Sequence, residues 1–230
     1  MSTSAAATRI ARRLVSSAPR ALLAKRAVRP RERVAEGEVL GPGFFNRDTV
    51  TVARDVLGKL LVRYVDGARL WGRLVEVEAY LGPDDLAAHS RGGRRTPRTE
   101  VMFGASGHAY VYFTYGMHWC LNFVTREEGV PQAVLVRALE PGPGVARCAG
   151  PGLLTRALSI DGALNGAALQ PPDLYVVDDG APKERVYFTP RIGVQGTGRW
   201  EKRLLRFCVD SPYLSRPIPK ALRPASRRGR

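Results

Sequence analysis

Short apolar runs separated by turn residues recur between residues 40 and 213 and predict most of the secondary structure. The runs "AYVYFTYG", "HWCLNFVT" and "QAVLVRALEP" are rich in β-branched and aromatic residues, which favour strands. "KLLVRYVDGARLWGRLVEVEAYL" predicts a hairpin, because apolar runs flank the tight-turn dipeptide Asp66-Gly67. The late segments "ERVYFTPRIGV" and "LLRFCVD" predict two further strands.

Helical spacing occurs in two places. "GPGFFNRD" is typical of a turn before a helix, which Asn46 or Asp48 can cap, and Gly58 stands where that helix would end. Apolar residues recur at helical spacing between these points, at Val52, Val56 and Leu60. "GPGLLTRALSI" predicts a second, short helix with Leu153, Leu154, Ala157 and Leu158 on one side. Since strands dominate, we expect an α+β domain with a mostly antiparallel sheet.

The charge of the chain is concentrated at its two ends. The net charge is +15, yet residues 1–31 carry eight Lys or Arg and no acid, and residues 216–230 carry six and no acid. Residues 32–215 are therefore close to neutral. We predict a basic N-terminal arm over 1–39, one compact domain over 40–213 and a basic tail over 214–230. Such tails attract polyanions without reading sequence, although a role in solubility is the alternative.

Composition narrows the class of protein. No apolar run approaches the roughly twenty residues that a bilayer requires, so we expect no membrane span. Cys120, Cys148 and Cys208 are odd in number and far apart. We therefore expect a reducing compartment, and neither a disulfide scaffold nor a structural zinc site. The acid-free, Arg-, Ala- and Ser-rich start resembles an organelle transit peptide and equally a disordered basic arm.

The stretch "LVEVEAYLGPDDLAAHS" combines carboxylates, a phenol and an imidazole. If Val75–Leu81 is a strand, its side chains alternate between two faces. One face carries the apolar residues Val75, Val77, Ala79 and Leu81. The other carries Glu76, Glu78 and Tyr80, which would face solvent or a pocket, with His89 following in a loop or helical turn. The competing interpretation is an ordinary half-exposed strand with a charged face.

Aromatic side chains crowd the stretch "HAYVYFTYGMHWCLN". Tyr110 and Tyr112 would share one face of a strand, and Tyr115-Gly116-Met117 would form a turn with Tyr115 at a protruding tip. Aromatic rings near basic residues suit base stacking. Packing in the core is the simpler explanation for the strand aromatics, but it accounts less well for Tyr115.

The segment "RGGRRTPR" is unsuited to a core element. It carries Arg91, Arg94, Arg95 and Arg98 among two glycines and a proline, without an acid. Guanidinium groups on a flexible backbone suit contacts with phosphate. An exposed loop without a partner is the alternative.

The residues from Ser215 onward show no burial pattern at all.

Together these motifs resemble the alkyladenine (3-methyladenine) DNA glycosylase family of base-excision repair. The stretches that carry the resemblance are "LGPGFF", "LVEVEAYLGPDDLAAHSRGGRRTPR", "MFGASGHAYVYFTYGMHWCLN", "VLVRALEP", "RIGV" and "LLRF". The resemblance implies a single compact domain on a curved antiparallel sheet. It implies a monofunctional enzyme that flips alkylated or deaminated purines out of duplex DNA and hydrolyses the N-glycosidic bond with a carboxylate-activated water, leaving an abasic site.

The resemblance also implies residue roles. Glu78 matches the carboxylate that activates water, and Arg137 matches an arginine that positions the catalytic groups. The residues matching those of the base pocket are Tyr80, His89, Tyr112 and Asn122. Tyr115 matches the side chain that inserts into DNA. A departure is the short region "EPGPGVARCAGPGLLTRAL", where Leu154 stands near the place of a usual lysine that contacts DNA.

Two other classes compete with this interpretation. A metal-dependent hydrolase could use His89, His108 and His118 with acids, but their spacing matches no metal pattern. A non-catalytic DNA- or RNA-binding module would explain the tails and aromatics, but not a carboxylate in the same pocket. We expect a monomer that needs no cofactor or metal and acts on double-stranded DNA with damaged purines. It would be intracellular, in a bacterial cytoplasm or nucleoid, with a nucleus or an organelle as the alternative.

Overall fold

A curled antiparallel sheet of nine strands forms the frame of the molecule. The structure, a computed structural model, describes residues 37–223, and the predicted arm lies outside these residues as far as residue 36. The strands are β1 (Glu38–Val39), β2 (Leu60–Val65), β3 (Ala68–Tyr80), β4 (Ala109–Thr114), β5 (His118–Thr125), β6 (Gln132–Pro141), β7 (Leu174–Asp178), β8 (Tyr187–Thr189) and β9 (Arg206–Cys208). The helices are α1 (Pro42–Phe45), α2 (Thr49–Asp55) and α3 (Pro151–Ala157). The fold is α+β, as the sequence predicts.

Strand β3 is the central element of the sheet. The main order is β1-β7-β2-β3-β6-β5-β4, and β9 pairs with both β3 and β8. The first half of β3 pairs with β2 as far as Arg73, and Glu76 to Glu78 pair with β9, while β6 follows the other side. The β3–β6 register shifts on both sides of Glu76. Such an irregularity increases local twist and bends a strand, so the second half of β3 is directed away from the first.

The hydrophobic core lies on one side of β3 and is covered by the helices. Val75, Val77 and Ala79 belong to it, which confirms the predicted apolar face of the strand. Phe45 of α1 meets Phe123 of β5 edge to face, and both rings are fully buried. Burial of such side chains is the main favourable term in folding. The core therefore holds β3 rigidly against its neighbours.

Three details of the predicted secondary structure are wrong. Asp48 caps α2 by accepting from the amide of Thr51, but α2 ends at Asp55 and Leu60 begins β2. The strand predicted over "ERVYFTPRIGV" covers only Tyr187–Thr189, and residues 191–194 form an irregular segment with a bend at residues 192 and 193. The strand β7 was missed, because the short apolar run "LYVVD" has no polar alternation to reveal it.

A further correction concerns the start of the predicted tail. Ile218 is only 3% exposed, so the expectation that residues from Ser215 onward lack a burial pattern is wrong, and Leu214 just before them is 9% exposed. These two apolar side chains join the main core and hold the intervening segment against the sheet. At the other end, Glu38 and Val39, which the sequence assigned to the arm, pair with β7.

Candidate active site

The second half of β3 presents Glu76, Glu78 and Tyr80 on the face opposite the core. Both glutamate side chains have no exposed surface. The predicted alternation is confirmed, whereas the alternative of a solvated charged face is wrong. Buried carboxylates are costly unless they are paired and hydrogen-bonded, so their partners define this part of the molecule.

Glu78 accepts hydrogen bonds from three different elements. The hydroxyl of Tyr80 donates to Oε2 over 3.0 Å, and Nη1 of Arg137 on β6 donates to the same oxygen over 3.3 Å. The backbone amide of Ile192 donates to Oε1 over 2.7 Å. A carboxylate offers about four lone-pair positions, so this one is nearly saturated by protein groups.

A second buried ion pair, between Arg191 and Asp85, contacts the ring of Tyr80. The guanidinium carbon of Arg191 lies 4.6 Å from the centre of that ring. Arg191 donates to both carboxylate oxygens of Asp85, over 2.5 and 2.8 Å, and to the carbonyl of Ala79 over 2.9 Å. Both side chains of the pair are fully buried. The pair therefore anchors the turn after β8, where Ile192 contacts Glu78, to the loop after β3.

Three aromatic rings from the loop after β3 and from β4 line the same space as Tyr80. Nδ1 of His89 lies 2.9 Å from the hydroxyl of Tyr110. The rings of His89 and Tyr112 meet nearly edge to face at a centroid distance of 4.6 Å. The guanidinium of Arg98 lies 4.8 Å from the ring centre of Tyr112. These contacts arrange π-faces and polar edges around a common space.

That space is a cavity of about 430 Å³ open at one end. Six of the seven residues to which the resemblance gives a catalytic, base-pocket or DNA-inserting role line it, namely Tyr80, His89, Tyr112, Tyr115, Asn122 and Arg137. Glu78 is the seventh; its carboxylate lies behind the wall, bonded to Tyr80, Arg137 and Ile192, which all line the cavity. Asn122 is fixed by donating its amide to the carbonyl of Tyr110 over 3.0 Å.

Tyr115 projects from the turn between β4 and β5 at the mouth of this cavity. Its side chain is 83% exposed, and its φ of 52° is in the left-handed region, as is that of Gly116. Left-handed backbone at two successive residues turns the chain tightly. The predicted protruding tip is confirmed, and Met117 beside it is 65% exposed.

The arginine-rich loop over residues 91–98 is exposed, as predicted, but its four arginines differ in their contacts. Arg91 lines the cavity, and Arg98 lies over Tyr112. Arg95 forms an ion pair with Glu100 at 2.6 Å, so its charge is already matched. Arg94 is exposed. Contacts of these residues with a DNA backbone stay a prediction.

Comparison with known proteins decides the family. A sequence model described as methylpurine-DNA glycosylase matches residues 43–212. The chain belongs to the methylpurine-DNA glycosylase family. It is therefore a DNA glycosylase, a hydrolase that acts on N-glycosyl bonds.

Bacterial relatives of this glycosylase cover nearly the same region. A protein of Legionella pneumophila (strain Paris), provisionally named a 3-methyladenine DNA glycosylase, is 49% identical over 176 residues, which are 75% of this chain and 96% of the relative. A protein of Desulfitobacterium hafniense (strain Y51) with the same provisional name is 44% identical over 198 residues, or 76% and 98% of the two chains. A third, from Anaeromyxobacter dehalogenans (strain 2CP-1), is 49% identical over 185 residues, or 79% and 88%.

Burial shifts the pKa of several groups around the cavity, and the shifts of Glu78 and His89 bear on the chemistry. Desolvation raises the pKa of Glu78, although Arg137, the amide of Ile192 and Tyr80 oppose the shift. Desolvation, together with the charges of Arg98 and Arg91, lowers the pKa of His89 to about 4. His89 is therefore a neutral imidazole near pH 7, able to donate through one nitrogen and accept through the other.

Sequence reasoning missed two sets of residues around Glu78. One is the Asp85–Arg191 pair, and the other is formed by Arg206 and Ser215, which bind Glu76, the residue that the sequence places on the same strand face as Glu78. The only local signal was Arg206, a charged residue inside the apolar strand pattern "LLRFCVD". Leu154, which stands near the place of the usual lysine, is fully buried, whereas its neighbour Leu153 is 38% exposed.

Within residues 37–223, His, Cys, Asp and Glu side chains form no group of three or more that could hold a metal ion. The three cysteines are free and buried. Over the same described range, no helix has the length and apolar character needed to cross a membrane.

Proposed function

We propose that this glycosylase removes alkylated purines, and also deaminated ones, from duplex DNA as a monofunctional hydrolase that leaves an abasic site. The observation that carries the proposal is the position of Glu78, a carboxylate held by three groups that all line one aromatic cavity. The provisional names of the relatives, which specify 3-methyladenine, support the alkylated class. We expect the enzyme to act as a monomer.

The damaged nucleotide has to leave the helix before it can react. A base inside a duplex hides its glycosidic bond, and extrusion costs roughly a few kcal/mol. The cavity is within the usual size range of small-molecule sites, and Tyr80, His89 and Tyr112 offer rings for stacking. Tyr115, exposed on a turn at the cavity mouth, fills the vacated place in the stack and offsets part of that cost.

The chemical step uses Glu78 as a general base. The carboxylate takes a proton from water as the oxygen attacks the anomeric carbon, and the glycosidic bond breaks with its electron pair moving to the purine. The negative charge also stabilises the oxocarbenium-like transition state, and Arg137 holds the carboxylate in place. Because Glu78 has no exposed surface, we propose that displacement of the Tyr80 hydroxyl opens one acceptor position to the water.

Asn122 and His89 contribute selectivity. Asn122 is fixed through Tyr110 at the cavity wall, where it would disfavour the exocyclic amine of guanine. His89 stays neutral and can donate to or accept from a purine edge, so this imidazole does not act as a cationic acid that protonates the base. Alkylation already makes a purine a good leaving group, whereas hypoxanthine depends more on contacts in the pocket.

A glycosylase assay tests the proposal. Duplexes carrying a methylated purine, hypoxanthine or etheno-adenine are incubated with the full chain, and free base is separated from DNA before and after alkaline cleavage. We expect free base, and strand breaks only after alkali. Release of no base from any of the three duplexes would refute the proposed function, and breaks without alkali would refute the monofunctional mechanism.

A further inference from the structure

We propose that Glu76 and Ser215 are positioning residues that hold the Arg137 guanidinium against the Glu78 carboxylate, an assignment that rests on the proposed function. Neither residue reaches the cavity. Both act through Arg137, which does. The inference thus extends the active site to a segment near the end of the chain.

The contacts of Glu76 account for its burial. Its Oε1 accepts from Nε of Arg206 over 2.7 Å, from the hydroxyl of Ser215 over 2.7 Å and from Nε of Arg137 over 3.2 Å. Its Oε2 accepts from the backbone amide of Ser215 over 2.6 Å. Every donor is fixed in turn by a strand or by the packed C-terminal segment, so the position of Glu76 is determined on all sides.

Arg137 is divided between two carboxylates. Its Nε faces Glu76, and its Nη1 faces Glu78. A planar guanidinium that bonds at two edges has a fixed direction, whereas one that bonds at a single edge can tilt. Two carboxylates and the guanidiniums of Arg137 and Arg206 also balance the charge of this compartment, which burial requires.

Ser215 lies beyond the residues that match the family. The match ends at residue 212, yet the segment that follows is held by buried Leu214 and Ile218. The carbonyl of Arg216 accepts from Nη2 of Arg206, so the segment contacts both members of the Glu76–Arg206 pair. Packing of this segment alone would need only the apolar side chains. The two hydrogen bonds from Ser215 to Glu76 connect it to the site.

Single-turnover base release and duplex affinity, measured on one lesion duplex, separate positioning from folding. We expect Glu76→Gln to slow release by about tenfold or more, because small displacements of a catalytic group are costly, with little change in duplex affinity. Ser215→Ala should slow it less, by about threefold to tenfold, because the backbone amide of Ser215 still donates to Glu76. Ser215→Thr should restore the rate. Ser211→Ala, a nearby serine that only accepts from the Tyr213 amide, is the matched control and should leave it unchanged.

A double-mutant cycle identifies the route of the effect. If Glu76 and Ser215 act through Arg137, adding either substitution to Arg137→Lys should cost little beyond Arg137→Lys alone. Additive losses, or a normal rate in both single variants, would overturn the inference. Should Glu76→Gln fail to fold, Ser215→Ala decides the question by the same criteria. If the wild-type chain released no base from the lesion duplex, the proposed function itself would be refuted.

Discussion

The hydroxyl of Tyr80 donates to Oε2 of Glu78 over 3.0 Å, although the two residues are only two positions apart on β3. Residues i and i+2 share a face of a strand, so the backbone itself brings the phenol beside the carboxylate. The hydrogen bond closes the cavity side of Glu78. In the proposed mechanism, opening this hydrogen bond admits the attacking water to the Glu78 carboxylate.

Replacing Glu78 by Gln should abolish base release without abolishing binding of a lesion duplex. Gln keeps the shape and an acceptor oxygen but cannot take a proton from water, and loss of a general base typically costs about 10²–10⁴-fold in rate. Single-turnover release and a binding titration measure the two effects. A variant that releases base at the normal rate would remove Glu78 from the mechanism.

The rate of base release should fall as the pH is lowered, and this fall should occur at a higher pH than the ordinary pKa of a glutamate. Burial raises the pKa of Glu78 from its ordinary value of 4.5. As the pH falls, the carboxylate form needed for catalysis is therefore protonated at a higher pH than an ordinary glutamate would be. A single-turnover pH profile locates the acid limb. A limb at or below the usual value would contradict this assignment, and folding at each pH is checked by circular dichroism.

Tyr115→Ala should reduce extrusion of the damaged base and leave the fold intact. The side chain is 83% exposed, so its loss leaves no cavity in the core. Base–aromatic stacking is worth about 1–3 kcal/mol, which corresponds to roughly a fivefold to hundredfold effect. A fluorescent base analogue next to the lesion reports extrusion. Tyr64→Ala removes another partly exposed tyrosine from β2 and should have no such effect.

His89 should titrate near pH 4 in the folded protein. Its pKa is lowered from 6.5 to about 4, so the unfolded chain binds this proton first as the pH falls. The contribution of His89 to stability is therefore complete above pH 6.5 and is lost as the pH falls through the folded value. NMR titration of the imidazole measures the pKa. A value near 6.5 would show that the ring is solvated.

Asp85→Asn should destabilise the protein far more than Glu100→Gln. The Asp85–Arg191 pair is fully buried, and removal of one partner leaves a buried charge, at a cost of about 3–5 kcal/mol. The Arg95–Glu100 pair is more than half exposed and should contribute less than about 1 kcal/mol. Urea denaturation compares the two. Equal effects would mean that water reaches the Asp85 site.

Local patterns were sufficient where the backbone alone sets the outcome. Alternation along β3 predicts which residues enter the core, and the Gly-bearing turn predicts the exposure of Tyr115. They failed for "RIGV", whose apolar composition favours a strand. Arg191 in that segment binds Asp85, 106 positions away, and no local signal encodes such a contact.

By itself, therefore, the sequence determined the faces of the strands and the identity of the groups that could meet, because strand geometry repeats every two residues. Only the tertiary structure decided which charges pair. Arg137 reaches Glu78 across 59 positions and Ser215 reaches Glu76 across 139. The physical reason is that a buried carboxylate requires a partner, but packing of distant segments determines which donor is close enough to supply one.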